Sequence, residues 1–209
     1  MEALLRRPRI LPALLALILA GLVPVGIAYQ RGIIDLRVRQ RLASDMPAEQ
    51  LSPEQRQEML EQSERFAPYL LVAGPLVGLF AASASFHGLL LLWSKDHPSF
   101  RAVCAVVAHA WLPLALYSLV SVPILLAKDP REVDLDNVIT LANPAFLVSA
   151  AEQPKLYRVA GSMDLFSFWI IGLLALGLGR LARRPAWSVL PLVVAPWVLY
   201  IVVFKALLP

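Results

Sequence analysis

The sequence predicts an all-α, polytopic membrane protein: a bundle of five transmembrane helices with short amphipathic helices in two long outer loops. Hydrophobic residues make up 58% of the 209 residues, and the mean hydropathy is positive. Too little polar surface therefore remains to coat a soluble globule. Five apolar stretches are each about long enough to cross a hydrocarbon core of ~30 Å. Only helices and closed barrels satisfy their backbone groups in lipid, and the absence of period-two alternation favours helices.

The predicted spans occupy residues 10–28, 66–93, 103–126, 165–181 and 187–208, and the outer loops occupy residues 29–65 and 127–164. We treat 1–209 as a single five-span domain, a leading helix followed by two antiparallel hairpins. Arg6, Arg7 and Arg9 before the first apolar run also fit a signal peptide. An uncleaved span is favoured because the run exceeds the usual signal core of about 7–15 residues.

Charge predicts the topology. The N-terminal segment and the two short turns carry eight basic residues and two acids, whereas the two long loops carry ten basic residues and thirteen acids. Short, strongly basic segments lie on the cytoplasmic side, which places the N-terminus in the cytoplasm and the C-terminus outside. We expect the bacterial cytoplasmic (inner) membrane. The net charge of +4 is spread over short loops, so no nucleic-acid partner is predicted.

Capping signals predict helices within the loops. Ser52-Pro53-Glu54-Gln55 has an N-cap, a proline at the first helical position and a glutamine that completes a capping box. Asp129-Pro130 and Asn143-Pro144 follow the same logic. We expect a helix from about Pro53 toward span two, and loop helices on the outer membrane surface.

Small residues predict where spans pack together. Gly74, Gly78 and Ala82 recur every four residues in span two, which we therefore take as the packing centre, and Ala175 and Gly179 make span four its candidate partner. Seven prolines lie within the spans or at their ends, and the interior ones predict kinks. The seven prolines are Pro12, Pro24, Pro75, Pro113, Pro123, Pro191 and Pro196.

The sequence predicts no enzyme, cofactor or metal site. It has no glycine-rich phosphate loop, no His-Glu-x-x-His and no paired-cysteine spacing. Its polar intramembrane pair is His87 and His109, each roughly 10 Å inside the same interface on consecutive spans. We favour neutral imidazoles with hydrogen-bonding roles. The alternative is a proton-sensitive or metal-binding pair, with Cys104 as a third ligand.

One stretch carries a family resemblance, supported by two others. The main one is Met163-Asp164-Leu165-Phe166-Ser167-Phe168-Trp169 with the apolar run to Gly179; the others are Ala108-His109-Ala110-Trp111-Leu112-Pro113 and Pro196-Trp197-Val198-Leu199-Tyr200. The chain resembles the Yip domain family, Ypt/Rab-interacting membrane proteins, in its bacterial branch. Within the motif, Asp164 is expected to cap the helix of span four.

The resemblance implies a five-span membrane domain and, in eukaryotic relatives, association with prenylated Rab-type GTPases. Those relatives carry a long cytosolic N-terminal region, whereas about nine residues precede the first span here, so a GTPase partner is not expected. We predict a non-enzymatic scaffold or accessory subunit in membrane organisation or trafficking. Its expected partners are membrane lipids, other membrane proteins or a second copy. The alternative is a small-molecule or ion transporter or channel with a site near His87 and His109.

Overall fold

The computed structural model describes residues 10–37, 52–135 and 137–207, and these ranges contain helices and turns but no strand. The helices whose bounds lie within these ranges are α1 (Leu11–Gln30), α2 (Pro53–Trp93), α3 (Phe100–Ala110), α4 (Leu112–Ala127), α5 (Pro154–Gly161), α6 (Leu165–Leu181) and α7 (Ala186–Tyr200). Residues 33–37 are also helical. A π-helical turn, Ile201–Leu207, continues α7, and 3-10 turns at Pro130–Glu132, Thr140–Ala142 and Pro144–Leu147 connect α4 to α5. The predicted all-α fold is confirmed. Arg6, Arg7 and Arg9 lie outside the described residues.

Four helical stretches of the described chain are long and apolar enough to cross a membrane: Leu11–Gln30, Ala73–Trp93, Phe100–Ala127 and Ala186–Leu207. A fifth candidate is the pair α5 and α6, which meet at a bend of 46°. Helix α6 is the apolar member of this pair and coincides with the predicted span four. Helix α5 is a short helix within the outer loop 127–164, where the sequence predicts such helices, but its position was not predicted. The chain is thus an integral, multi-pass membrane protein.

Helix α2 is longer than the span predicted for it. It runs unbroken for 41 residues, about 60 Å at 1.5 Å per residue, which is twice the thickness of a hydrocarbon core. The capping box is confirmed: Ser52 Oγ accepts from the Gln55 backbone N–H at 3.2 Å, and Gln55 Oε1 accepts from the Ser52 N–H at 2.9 Å. The helix that begins at Pro53 therefore runs into span two as predicted, and the two form one continuous helix.

Helix α3 lies at the centre of the bundle. Seven of its 11 residues are buried, and it packs against α2 and α6. Its Val103 and Val107 are fully buried beside Leu79 of α2, Leu178 of α6 and Val189 of α7. Small side chains allow this close approach. The packing centre expected in span two is therefore in span three, while α1 packs mainly against α4.

Span three is interrupted at Trp111, where α3 ends and α4 begins. Pro113 stands in the first turn of α4, and a proline has no N–H to continue the hydrogen-bond ladder of the preceding helix. The kink predicted from this proline therefore corresponds to an actual break.

The turn between α6 and α7 folds back over the end of α6. The Arg184 N–H donates to the Gly179 carbonyl at 2.8 Å, the Arg183 N–H donates to the Arg180 carbonyl at 3.3 Å, and Arg183 has a φ of 51°. These bonds define a Schellman motif. Arg183 also lies 3.8 Å from Asp96, and the Arg184 guanidinium stands 5.9 Å from the centroid of a Trp93 ring. The two short basic turns therefore lie at one end of the bundle.

The opposite end, which we call the loop end, carries the long connection between α4 and α5. The Arg31 guanidinium, just after α1, donates to the carbonyls of Leu125 and Lys128, the latter at 3.0 Å. These carbonyls belong to the last turn of α4 and its C-cap, where helical partners run out and a cation is stabilising. Arg31 thus joins the ends of the first and third spans.

Candidate functional site

The long connection at the loop end is ordered by local caps. Asp129 Oδ1 accepts from the Arg131 N–H at 2.8 Å, and Asn143 Oδ1 accepts from the Ala145 N–H at 3.0 Å. Both residues precede a proline that opens a short helical turn, as the sequence predicts. These turns are 3-10 rather than α-helical, because each is only three or four residues long. They direct polar side chains back over the bundle.

Two asparagine side chains form the buried centre of this connection. Asn143 Nδ2 donates to Asn137 Oδ1 at 2.7 Å, and Asn137 Nδ2 donates to Tyr157 Oη at 3.2 Å. Asn137 is 5% exposed and Asn143 is 6% exposed, so unpaired amides here would carry a full desolvation cost. Their mutual pairing removes that cost and fastens the connection to α5, the helix that carries Tyr157.

An ionic chain continues outward from the asparagines. Tyr157 Oη donates to Asp134 Oδ2 at 3.2 Å, and Asp134 Oδ1 lies 3.3 Å from the Arg37 guanidinium. Burial raises the pKa of the Tyr157 phenol, and the nearby Asp134 carboxylate adds to the rise. Tyr157 therefore stays protonated and keeps its donor role at neutral pH. Residues separated by almost one hundred positions in sequence meet here, which local patterns do not predict.

Two adjoining cavities surround this network, one of about 380 Å³ and one of about 650 Å³. Four residues line both: Asn137, Gly161, Ser162 and Lys205. Lys205 belongs to the π-helical turn that packs against α5. The sequence predicted no role for this site. Its only sequence signals are the capped turns that follow Asp129 and Asn143 and the position of Lys205 at the end of a span.

Asp164 begins α6 at the edge of the larger cavity. Its Oδ1 accepts from the N–H groups of Phe166 at 2.8 Å and Ser167 at 3.0 Å, and its Oδ2 accepts from the Ser167 hydroxyl at 2.6 Å. These are the contacts of an N-cap, where a negative charge also meets the positive end of the helix dipole. The bend between α5 and α6 falls immediately before this cap.

One protein family matches a range that includes both the helical bundle and α6, the helix capped by Asp164. The Yip1 domain family matches residues 1–207. The chain belongs to the Yip1 domain family. Searches of curated proteins and of solved structures give no significant match. The resemblance stated from the span-four motif is thereby confirmed at the level of the family.

Within the Yip1 domain, the two histidines have separate surroundings. The His87 ring meets the Phe100 ring edge-on at 5.6 Å between centroids, and His87 Nδ1 is buried with no hydrogen-bond partner in the described residues. His109 Nδ1 lies 2.7 Å from the Ala105 carbonyl of its own helix. Phe100 and His109 are nine residues apart on α3, about 13 Å along its axis.

The metal-binding alternative pairs His87 with His109 and adds Cys104 as a candidate third ligand. Cys104 is buried on α3. No cluster of three or more His, Cys, Asp or Glu side chains able to hold a metal occurs in the described ranges 10–37, 52–135 and 137–207. The three candidate ligands therefore form no such cluster, and a proton-sensitive or metal-binding role for the two histidines stays a prediction.

The small residues of the Yip1 domain also face different neighbours. Gly74 is exposed, and a Cβ added there would have no atom within 4 Å, whereas a Cβ on Gly78 would lie 3.5 Å from the Trp111 ring. On α6, Ala175 is buried, and a Cβ on Gly179 would lie 2.9 Å from the carbonyl oxygen of residue 184. Gly179 therefore serves its own turn, and α2 packs principally on α3. Ala82 is partly buried against the central cluster.

A very close approach between helices involves a glycine that the sequence did not single out. A Cβ on Gly177 of α6 would lie 2.4 Å from Val106 Cγ1 of α3, well inside carbon contact distance. Gly177 lies in the span-four motif, two positions from each residue of the predicted pair Ala175 and Gly179. Gly177 is the residue of this group that lies against Val106 of α3. The sequence alone does not show which residue of α6 faces that helix.

Proposed function

We propose that the protein is a non-enzymatic scaffold or accessory subunit that acts in membrane organisation through helix packing and through protein or lipid contacts. Its domain is a single unit over 1–209 in the bacterial inner membrane, with the N-terminus in the cytoplasm and the C-terminus outside. The charge distribution between short and long loops supports this orientation.

The observation that carries the proposal is a stripe along α2 in which four of the five residues are glycine or alanine. Gly74, Val77, Ala81 and Ala84 are exposed, and Gly88 has no atom within 4 Å of a Cβ position. Their spacing of three and four residues places them along one side of the helix. We call these five residues the α2 stripe.

Small side chains let a second helix approach closely, and such packing drives association in lipid, where the hydrophobic effect between helices is lost. Gly78 and Ala82, the neighbouring small residues, turn toward Trp111 and the central cluster instead. The α2 stripe thus remains available to a transmembrane helix of another membrane protein or of a second copy.

The test replaces Ala81 by leucine, which fills the stripe and adds no charge. Native mass spectrometry and gel electrophoresis after gentle extraction should show that the wild-type complex is lost in Ala81→Leu. Gly172→Leu is the matched control, because Gly172 is also exposed and has open space around it, but on α6. A complex that persists in Ala81→Leu and dissociates in Gly172→Leu contradicts the proposal.

Flux measurements separate this proposal from the transporter alternative. The scaffold should give no substrate flux when reconstituted in liposomes. Flux that falls in His87→Ala or His109→Ala would instead place the function among the broken helices of the bundle.

A further inference from the structure

The smaller cavity at the loop end has an excess of positive charge. Arg37, Arg158 and Lys205 line it, together with one carboxylate, Asp134. Arg37 and Asp134 lie 3.3 Å apart and largely neutralise each other. Arg158 and Lys205, both partly buried, have no acidic partner within the described part of the chain. Partly buried charges without a counterion are costly, and a bound anion removes this cost.

Arg158 supplies a second, independent observation. Its Nε–H is buried and has no hydrogen-bond acceptor among the described residues. Buried donors without acceptors are rare, and a bound ligand is one way in which such a donor is satisfied. A guanidinium that offers its nitrogens in a planar fork is well matched to the oxygens of a phosphate group. A phosphate group would therefore supply both the acceptor that the Arg158 Nε–H lacks and the negative charge that Arg158 and Lys205 lack.

The larger cavity adds an apolar compartment. Leu114, Phe166 and Trp197, which belong to spans three, four and five, line it. Asp164 also lines it, but both of its oxygens are engaged in capping α6. The two cavities share Lys205, so the cationic compartment adjoins a largely apolar one of about 650 Å³.

A charged compartment joined to an apolar one, at the end of a transmembrane bundle, matches the chemistry of a lipid. We propose that the loop end binds an anionic phospholipid, with Arg158 and Lys205 donating to the phosphate diester and an acyl chain entering the larger cavity. The site stands apart from the α2 stripe, so either proposal can fail without the other. The π-helical turn has a role here, because it carries Lys205 against α5.

The test titrates the full-length, delipidated protein in micelles with phosphatidylglycerol or phosphatidylcholine and counts bound lipid by native mass spectrometry. The wild type should prefer phosphatidylglycerol. The Arg158→Gln and Lys205→Gln variants should each lose about tenfold in affinity for it, as expected when one charge-assisted hydrogen bond is removed. Lys155→Gln is the matched control, because Lys155 is exposed on the same short helix and lines neither cavity.

A further variant, a folding measurement and a phosphate probe separate lipid binding from misfolding and from binding of a free anion. Arg158→Lys retains the charge but loses the planar fork, so its phosphatidylglycerol affinity should lie between those of the wild type and Arg158→Gln. Tryptophan fluorescence melting should show that each variant is folded. Equal phosphatidylglycerol affinity in wild type and in folded Arg158→Gln overturns the proposal. Thermal stabilisation by inorganic phosphate that matches stabilisation by phosphatidylglycerol overturns the lipid assignment, because the apolar cavity would then contribute nothing.

Discussion

The contact between Gly177 and Val106 allows a sharp test of the packing of α6 on α3. In Gly177→Ala, the new methyl carbon would lie 2.4 Å from Val106 Cγ1, whereas carbon atoms in contact are about 3.5–4.0 Å apart. The two groups must therefore separate by more than about 1 Å. Val106 is β-branched and has one strongly preferred χ1 rotamer in a helix, so the helices themselves have to shift.

The magnitude follows from two opposing terms. Overpacking of a dense interface costs about 1–3 kcal/mol, and replacing glycine by alanine within a helix gains about 1 kcal/mol. Gly172→Ala gains the second term alone, since no atom lies within 4 Å of its Cβ position. The free energy of unfolding of Gly177→Ala should therefore lie about 1–3 kcal/mol below that of Gly172→Ala.

The assay is unfolding in mixed micelles by sodium dodecyl sulfate, followed by tryptophan fluorescence. A double-mutant cycle with Val106→Ala isolates the contact, because removing Cγ1 should let Gly177→Ala behave like Gly172→Ala. Equal stability of Gly177→Ala and Gly172→Ala when Val106 is unchanged would refute the packing of α6 on α3 described above.

Two further changes test the loop end. Asp164→Ala should lower the free energy of unfolding by about 1 kcal/mol, because α6 loses its N-cap, and Asp164→Asn should recover much of it; equal loss in both would contradict a capping role. Tyr157→Phe tests the phenol contacts through pH. The raised pKa of Tyr157 means that folding favours the protonated form. The contribution of the Tyr157 phenol to the free energy of unfolding is complete below its pKa in the unfolded chain, about 10. This contribution is lost as the pH rises through the higher pKa of the folded protein. Alkaline melting curves should show this loss in the wild type and a weaker one in Tyr157→Phe.

Local signals in the sequence are reliable where neighbours in the chain decide the structure. The Ser52 capping box and the proline-led turns after Asp129 and Asn143 form as expected, because a cap requires only residues two or three positions away. The position of helix α5 was missed. This helix is eight residues long and partly polar, and its position depends on contacts with the π-helical turn and with the 3-10 turn Pro144–Leu147.

Patterns of small residues show which sides of a helix tolerate close approach, but they do not name the partner. Gly74 and Gly78 share a four-residue spacing, yet only Gly78 meets another span. The histidines show the same limit. His87 and His109 lie at similar predicted depths, but the register of α2 against α3 sets His87 beside Phe100. Rotation and axial shift of one helix against another depend on packing across the whole interface.

The sequence by itself determined the solvent, the helical class and most of the spans, because the lipid core restricts backbone structure and hydropathy reflects that restriction. The residues of the span-four motif indicated the family. Tertiary structure alone decided that α3 is the centre, that the α2 stripe faces outward, and that Arg158 and Lys205 share a cavity. These features join residues that are far apart in the chain. They depend on how whole helices fit together, and a linear pattern of apolar residues allows many such fits.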